Sequence, residues 1–178
     1  VPGRMYMLKL AGSMLIIGTG ILAGMSAADR VRQQYEEMRE LQTLLYALRS
    51  EILYARACLG EAFLKIGRDA GEPYRGWMME MSRKMERRQD RMLSVIWKNG
   101  VRDALKNSRI QKRDLLRLEE LGTQLGDADL EAQIRSLDRY LEELKHSMEE
   151  IREGMKIKIR LCQCLGVMGG IFVTILLI

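Results

Sequence analysis

The side chains best suited to chemistry are few and scattered in this chain of 178 residues. His146 is its only histidine, and its cysteines are Cys58, Cys162 and Cys164. A structural zinc needs four converging ligands. Cys162 and Cys164 are two apart, so on different faces of any helix, with no other soft ligand beside them; Cys58 reads as a small core residue. A lone histidine among Glu142, Glu143, Lys145, Glu149 and Glu150 reads as a surface residue rather than a base. Those acidic pairs fall outside the apolar positions of their segment, as a solvated face does. The chain carries no glycine-rich phosphate loop and no nucleophile motif. The expectation is a protein without catalytic residues, cofactor or metal, and so not an enzyme.

The elements that position these residues are helical. Ile134, Leu137, Leu141, Leu144, Met148, Ile151 and Met155 follow one another in steps of three and four, which keeps one seam of a helix facing a partner. That seam runs without a turn signal into Leu161–Ile178, where no residue is charged. At about 1.5 Å per residue this segment spans roughly 27 Å, close to the hydrocarbon thickness of a bilayer. Leu10–Ala28 is likewise free of charge. All 24 acidic residues and all but two of the 29 basic ones, Arg4 and Lys9, lie between these segments. The predicted organisation is a short outer tail (1–9), a transmembrane helix (10–28), a cytosolic helical domain (29–160) and a second transmembrane helix (161–178). Arg30, Arg32 and Arg39 follow the first span, and Arg152, Lys156, Lys158 and Arg160 precede the second. The excess of cations puts this side in the cytoplasm, with Lys9 against the rule. A retained anchor rather than a cleaved signal is expected, because the apolar run exceeds a usual signal core and leads into an amphipathic helix.

The predicted fold is all-α, a bundle of about six helices whose first and last continue into the spans. Val31, Tyr35, Met38, Leu41, Leu45, Leu48 and Ile52 form a second seam, so 29–57 and 129–160 should pair as antiparallel stalk helices. Between them the signals predict helices over 61–70, 74–92, 93–105 with a stop at Asn99-Gly100, and from an Asn107-Ser108 cap to Gly126. Pro73 suits a first helical turn. Asp127 can cap the last helix, with Asp129 and Glu131 in its positive first turn. In the spans, Gly12, Gly20, Gly24, Gly166 and Gly170 let helix backbones approach, within the chain or against other subunits, a homo-oligomer included.

Charge is divided along the chain. Residues 82–113 hold eleven basic and three acidic side chains, and 114–153 hold five basic and twelve acidic. Mutual attraction of neighbouring helices accounts for this, or else a basic surface at Arg83, Lys84, Arg87, Arg88 and Arg91 receives an acidic partner or anionic lipid. With few aromatics there is no stacking platform for nucleic acid.

Several stretches together resemble the stage III sporulation protein AB family. They are Met7-Leu8-Lys9-Leu10 with its span, Leu48–Tyr54, Glu61-Ala62-Phe63 and the glycine-rich terminal segment. The strongest is Leu121-Gly122-Thr123-Gln124-Leu125-Gly126-Asp127-Ala128-Asp129 followed by Gln133, in which Gly122, Gly126, Asp127, Asp129 and Gln133 form a structural motif. The chain departs from the family at Ala57-Cys58-Leu59-Gly60 and at Leu161-Cys162, both packing positions. The resemblance implies a mother-cell membrane protein facing the forespore. It would belong to the channel complex that supports late forespore gene expression, with a cytosolic domain similar to the inner-membrane platform protein of type II secretion and type IV pilus machines. The implied partners are the other membrane subunits of that complex and a secretion-type ATPase, stage III sporulation protein AA. The alternative from the residues alone is a two-span membrane signal transducer or adaptor with a coiled helical stalk.

Overall fold

A computed structural model describes residues 26, 28–55, 58–87, 92–126 and 129–177. Within α6 below, side chains at 158–160, 162–163, 165–167 and 170–177 lie outside that description. All elements among the described residues are helical. α1 covers 28–50 and ends in a wider π-helical turn, Glu51–Ala55. It is followed by α2 (Leu59–Asp69), α3 (Tyr74–Glu86), α4 (Leu93–Ala104), α5 (Lys112–Gly126) and α6 (Leu130–Leu177). The bundle of about six helices expected from the periodicity is present.

The chain divides into two compact units, Gln34–Glu149 and a second made of Val1–Gln33 with Glu150–Ile178. The core lies in the first. Met38, Leu41, Leu45, Leu48 and Ile52 are buried along α1, and Leu137, Leu141, Leu144 and Met148 along α6, so the middle of each seam is inside while Val31, Tyr35, Ile134 and Met155 are half-buried. Each large apolar side chain so buried contributes about 1.5–3 kcal/mol.

Side-chain contacts fix the helix directions. Gln133 Nε2 donates to the Leu125 carbonyl (2.8 Å), Arg117 Nε lies 3.3 Å from Glu143, and Ser147 Oγ donates to Asp114 Oδ1 (2.9 Å). Numbers falling on α5 as they rise on α6 make these helices antiparallel. α1 meets α6 where Arg49 grips both carboxylate oxygens of Asp138, and Glu37 of α1 binds Arg109, ahead of α5. Both seam helices thus contribute to the unit Gln34–Glu149.

Several boundaries differ from those expected. α2 begins at Leu59, two residues before the predicted start at 61, and Pro73 is the residue before α3 rather than in it. Asn99-Gly100 does not stop α4, because Gly100 is needed inside it: a Cβ there would come within 2.6 Å of Trp77 Cδ1. Asn107 and Ser108 belong to the turn leaving α4, where the Ser108 amide bonds to the Leu105 carbonyl; α5 begins later, with Asp114 and Leu115 amides bonding to Gln111. Asp129, expected within the first turn of α6, instead precedes it and caps it: its Oδ1 accepts the Ala132 amide at 2.8 Å. Asp127 lies outside the described residues, as do Gly12, Gly20 and Gly24. Gly166 and Gly170 lie in α6, with side-chain surroundings outside the description. No helix of the described residues is long and apolar enough to cross a membrane.

Candidate functional site

The basic residues singled out in the sequence gather at the C-terminal end of α3. This helix buries Tyr74, Trp77, Met78 and Met81, so methionine fills the core here and the cations turn outward. Arg83 pairs with Glu80, and Lys84 Nζ stands 3.6 Å from the same carboxylate. Two cations sharing one anion leave a positive surplus, to which exposed Arg87 adds. Cations at a helix C-terminus also meet its negative dipole end favourably. Arg88 and Arg91 lie outside the described residues.

The divided charge is in part satisfied between neighbouring helices. Arg102 on α4 makes a two-point contact with Glu119 on α5 (2.8 and 3.0 Å), which Lys98 also approaches at 3.9 Å. The carboxylate holds the Arg102 guanidinium above its ordinary pKa, as Asp138 does for Arg49.

At the opposite end of the α2–α3 hairpin lies a groove that the sequence reading missed. It encloses 590 Å³ between one face of α1 (Glu36, Glu40, Thr43, Leu44, Ala47, Glu51) and the chain from Lys65 to Tyr74. Five carboxylates and two cations line it. Arg39 pairs with Glu36 and Lys65 with Glu51, whereas Glu40 and Asp69 have no ion-pair partner among the described residues. Leu44, Ala47 and Ile66 supply apolar surface. The signal in the sequence was the spacing of Glu36, Glu40, Ala47 and Glu51, which places them on a single helix face opposite the Met38–Leu45 seam.

A buried polar cluster joins α5 to α6. Asp114 and Ser147 are 1% and 2% exposed. The Ser147 hydroxyl accepts from Arg113 Nη2 at 3.2 Å while donating to Asp114, and Arg117 Nη1 stands 3.7 Å from the same carboxylate. The Tyr140 hydroxyl donates to the Asp114 backbone carbonyl at 3.3 Å. A buried carboxylate flanked by cations and hydroxyls is a tie between helices. The sequence did contain its signature, because Asp114 takes the helical place before Leu118, Leu121 and Leu125 on the buried face.

Residues considered for chemistry are not brought together. His146 is exposed on α6, beside Glu149 at 3.9 Å. Cys58 is exposed at the start of α2, contrary to the core position expected, because it precedes the first turn and faces Glu61 rather than the bundle. Cys164 is exposed, and the Cys162 side chain lies outside the described residues. Among the described residues no group of three or more His, Cys, Asp or Glu is placed to hold a metal ion.

The Gly122–Gln133 motif does bring elements together. A Cβ on Gly122 would overlap the Trp97 ring and stand 2.7 Å from its Cβ, and one on Gly126 would stand 3.3 Å from the Cβ of Leu93. These glycines let α5 lie against α4. Asp129 then caps α6, and Gln133 reaches back to the last turn of α5. So the motif builds the α4–α5–α6 junction, and its match to a known family is a match in packing.

The model of stage III sporulation protein AB matches residues 9–178. The chain belongs to that family. Stage III sporulation protein AB of Bacillus subtilis (strain 168) is 22% identical over 171 residues, covering 96% of this chain and 99% of that relative. A solved structure of stage III sporulation protein AB matches with a TM-score of 0.63 at 19% identity, over 70% of this chain and 97% of the other. That likeness establishes a shared fold. As a member of the stage III sporulation protein AB family, the chain is a sporulation protein.

Proposed function

We propose that this chain is a non-enzymatic, two-span membrane platform subunit of the secretion-like channel complex between mother cell and forespore. It sits in the mother-cell membrane facing the forespore, with 29–160 in the cytosol, and supports late forespore gene expression. The observation that carries the reading is α6: one helix continues from the buried Leu137–Met148 seam into the charge-free segment from Leu161. In this reading α6 belongs to both the cytosolic bundle and a membrane span and so links the two, as a platform requires. Leu10–Ala28 supplies the other span. Gly12, Gly20, Gly24, Gly166 and Gly170 would let these spans pack against each other or against other subunits.

By the family resemblance the cytosolic partner is the secretion-type ATPase, stage III sporulation protein AA. The basic end of α3, with Arg83, Lys84 and Arg87 and continuing in sequence to Arg88 and Arg91, is the docking surface proposed for it. Photo-crosslinking from positions 84 and 88 in membranes of sporulating cells tests this. The expected outcome is capture of the ATPase, reduced by Arg87→Glu with Arg88→Glu while helix content stays unchanged. Capture of lipid alone, or an ATPase yield indifferent to the double substitution, would remove this surface from the proposal.

A further inference from the structure

The groove beside α1 runs from Glu36 to Glu51, sixteen residues and roughly 22 Å from first to last. Its length and form suit a helix laid into it. With an apolar floor at Leu44, Ala47 and Ile66, five carboxylates and two cations, its occupant must be basic with a few apolar side chains. The chain itself displays such a face. On the outer side of α4, Val95, Lys98, Arg102 and the following Lys106 recur at helical spacing, and Met92 stands just before them. Met92 is 63% and Val95 45% exposed, which gives this basic face two apolar side chains open to solvent. Lys98 and Arg102 share Glu119, so one carboxylate offsets two cations, and Lys106 adds a third. α4 itself, Leu93–Ala104, is roughly 18 Å long, which fits within the groove. α4 is packed against α3 and α5, and so cannot fold back over α1 in its own molecule.

We infer that the groove between α1 and the α2–α3 hairpin receives the basic outer face of α4 from a second copy of this chain. Glu40 and Asp69, unpaired by the described residues, meet Lys98 and Lys106; Val95 and Met92 reach the floor between Leu44 and Ile66. Donor and acceptor surfaces differ, so the contact is heterologous, and repeating it builds a ring or an open array of copies. A single helix in a groove buries less than the roughly 1,600 Å² of a standard stable interface. The contact therefore depends on a membrane or micelle concentrating the copies, and it weakens with salt. This goes beyond the platform reading, whose ATPase surface lies on α3.

The test uses the full-length chain in liposomes, labelled for energy transfer between copies. One variant reverses the groove (Glu40→Lys with Asp69→Lys) and the other reverses the helix face (Lys98→Glu with Lys106→Glu). Each variant alone should lose association by about tenfold, with helix content by circular dichroism unchanged. A mixture of the two should recover it, because a groove made basic then meets a face made acidic while the untouched pair also forms. Misfolding cannot produce that recovery. Wild-type copies that do not associate at low salt, variants that associate as wild type does, or a mixture that stays separate would each overturn the inference. So would loss of ATPase capture by the groove variant with self-association intact, which would give the groove to the ATPase.

Discussion

At the scale of single residues, two tryptophans organise the middle of the bundle, and each rests on a glycine. Trp97 is fully buried, donates its indole N–H to the Leu118 carbonyl at 2.6 Å, and meets Trp77 edge-on with ring centres 4.9 Å apart. Trp77 covers Gly100 and Trp97 covers Gly122. Neither glycine has the positive φ that would require its backbone freedom. It is the missing Cβ that counts. In a helix, glycine to alanine ordinarily gains about 1 kcal/mol. At Gly122 the new methyl has to displace a tryptophan whose own hydrogen bond depends on its place, an overpacking that costs about 1–3 kcal/mol or more. Gly154 in α6 has nothing within 4 Å of the position a Cβ would take. The same substitution should therefore act with opposite signs. Gly122→Ala should lower the urea midpoint of the full chain in micelles, and Gly154→Ala should raise it slightly. A Gly122→Ala midpoint at or above wild type would mean that α4 and α5 are not held against each other by this contact.

At the scale of elements, two tyrosine hydroxyls tie helices that are far apart in sequence. Tyr74 at the start of α3 donates to the Glu37 carbonyl of α1 (2.9 Å), and Tyr140 of α6 donates to the Asp114 carbonyl of α5. Burial first, then the charges of Glu40 and Glu37, raises the pKa of Tyr74. Burial first, then Asp114, raises that of Tyr140. A phenol whose folded pKa lies above its unfolded value near 10 favours folding through its neutral form. That stability is whole below about pH 10 and is lost as pH rises through the folded values. Thermal midpoints should thus be level from neutrality to about pH 10 and then fall. Tyr74→Phe with Tyr140→Phe should lower the midpoint at pH 7, because two hydrogen bonds are gone, yet flatten the alkaline fall. An equally steep fall in the double variant would assign it to other groups.

Elements also explain what could be read from the chain beforehand. The seams of α1 and α6 were legible because each repeats seven apolar positions, and a repeat of that length overrides local accidents. The stop predicted at Asn99-Gly100 failed for the reason that makes the contact work: a glycine chosen for close approach has the same letter as one chosen to end a helix. Asp114 was hidden in a run of charges, and only its register with Leu118, Leu121 and Leu125 marks it as buried. The groove was illegible as a site because it needs α2 to lie along α1, a tertiary fact. Asp129 was read as a first-turn residue, and its side chain proves to be the cap one place before the helix begins.

At the scale of the whole molecule, the platform and the signal transducer differ in where material binds. A transducer with two spans places its sensor outside, between them, whereas here the compact unit Gln34–Glu149, which holds the core, lies in sequence between the two charge-free segments. In the sequence most of the cations flanking the charge-free segments lie between those segments, and the rule that cations near a span remain cytoplasmic predicts the same side for the intervening chain. Both termini should consequently face outward. The exposed Gly71–Pro73 turn between α2 and α3 offers a place to ask, since a tag there disturbs no core residue. In intact cells a protease added outside should leave a tag at Gly71 uncut and remove one fused to the N-terminus. Permeabilising the membrane should expose the first. Cleavage of the Gly71 tag in intact cells would turn the bundle outward, away from any cytosolic ATPase, and the platform reading would give way to the transducer.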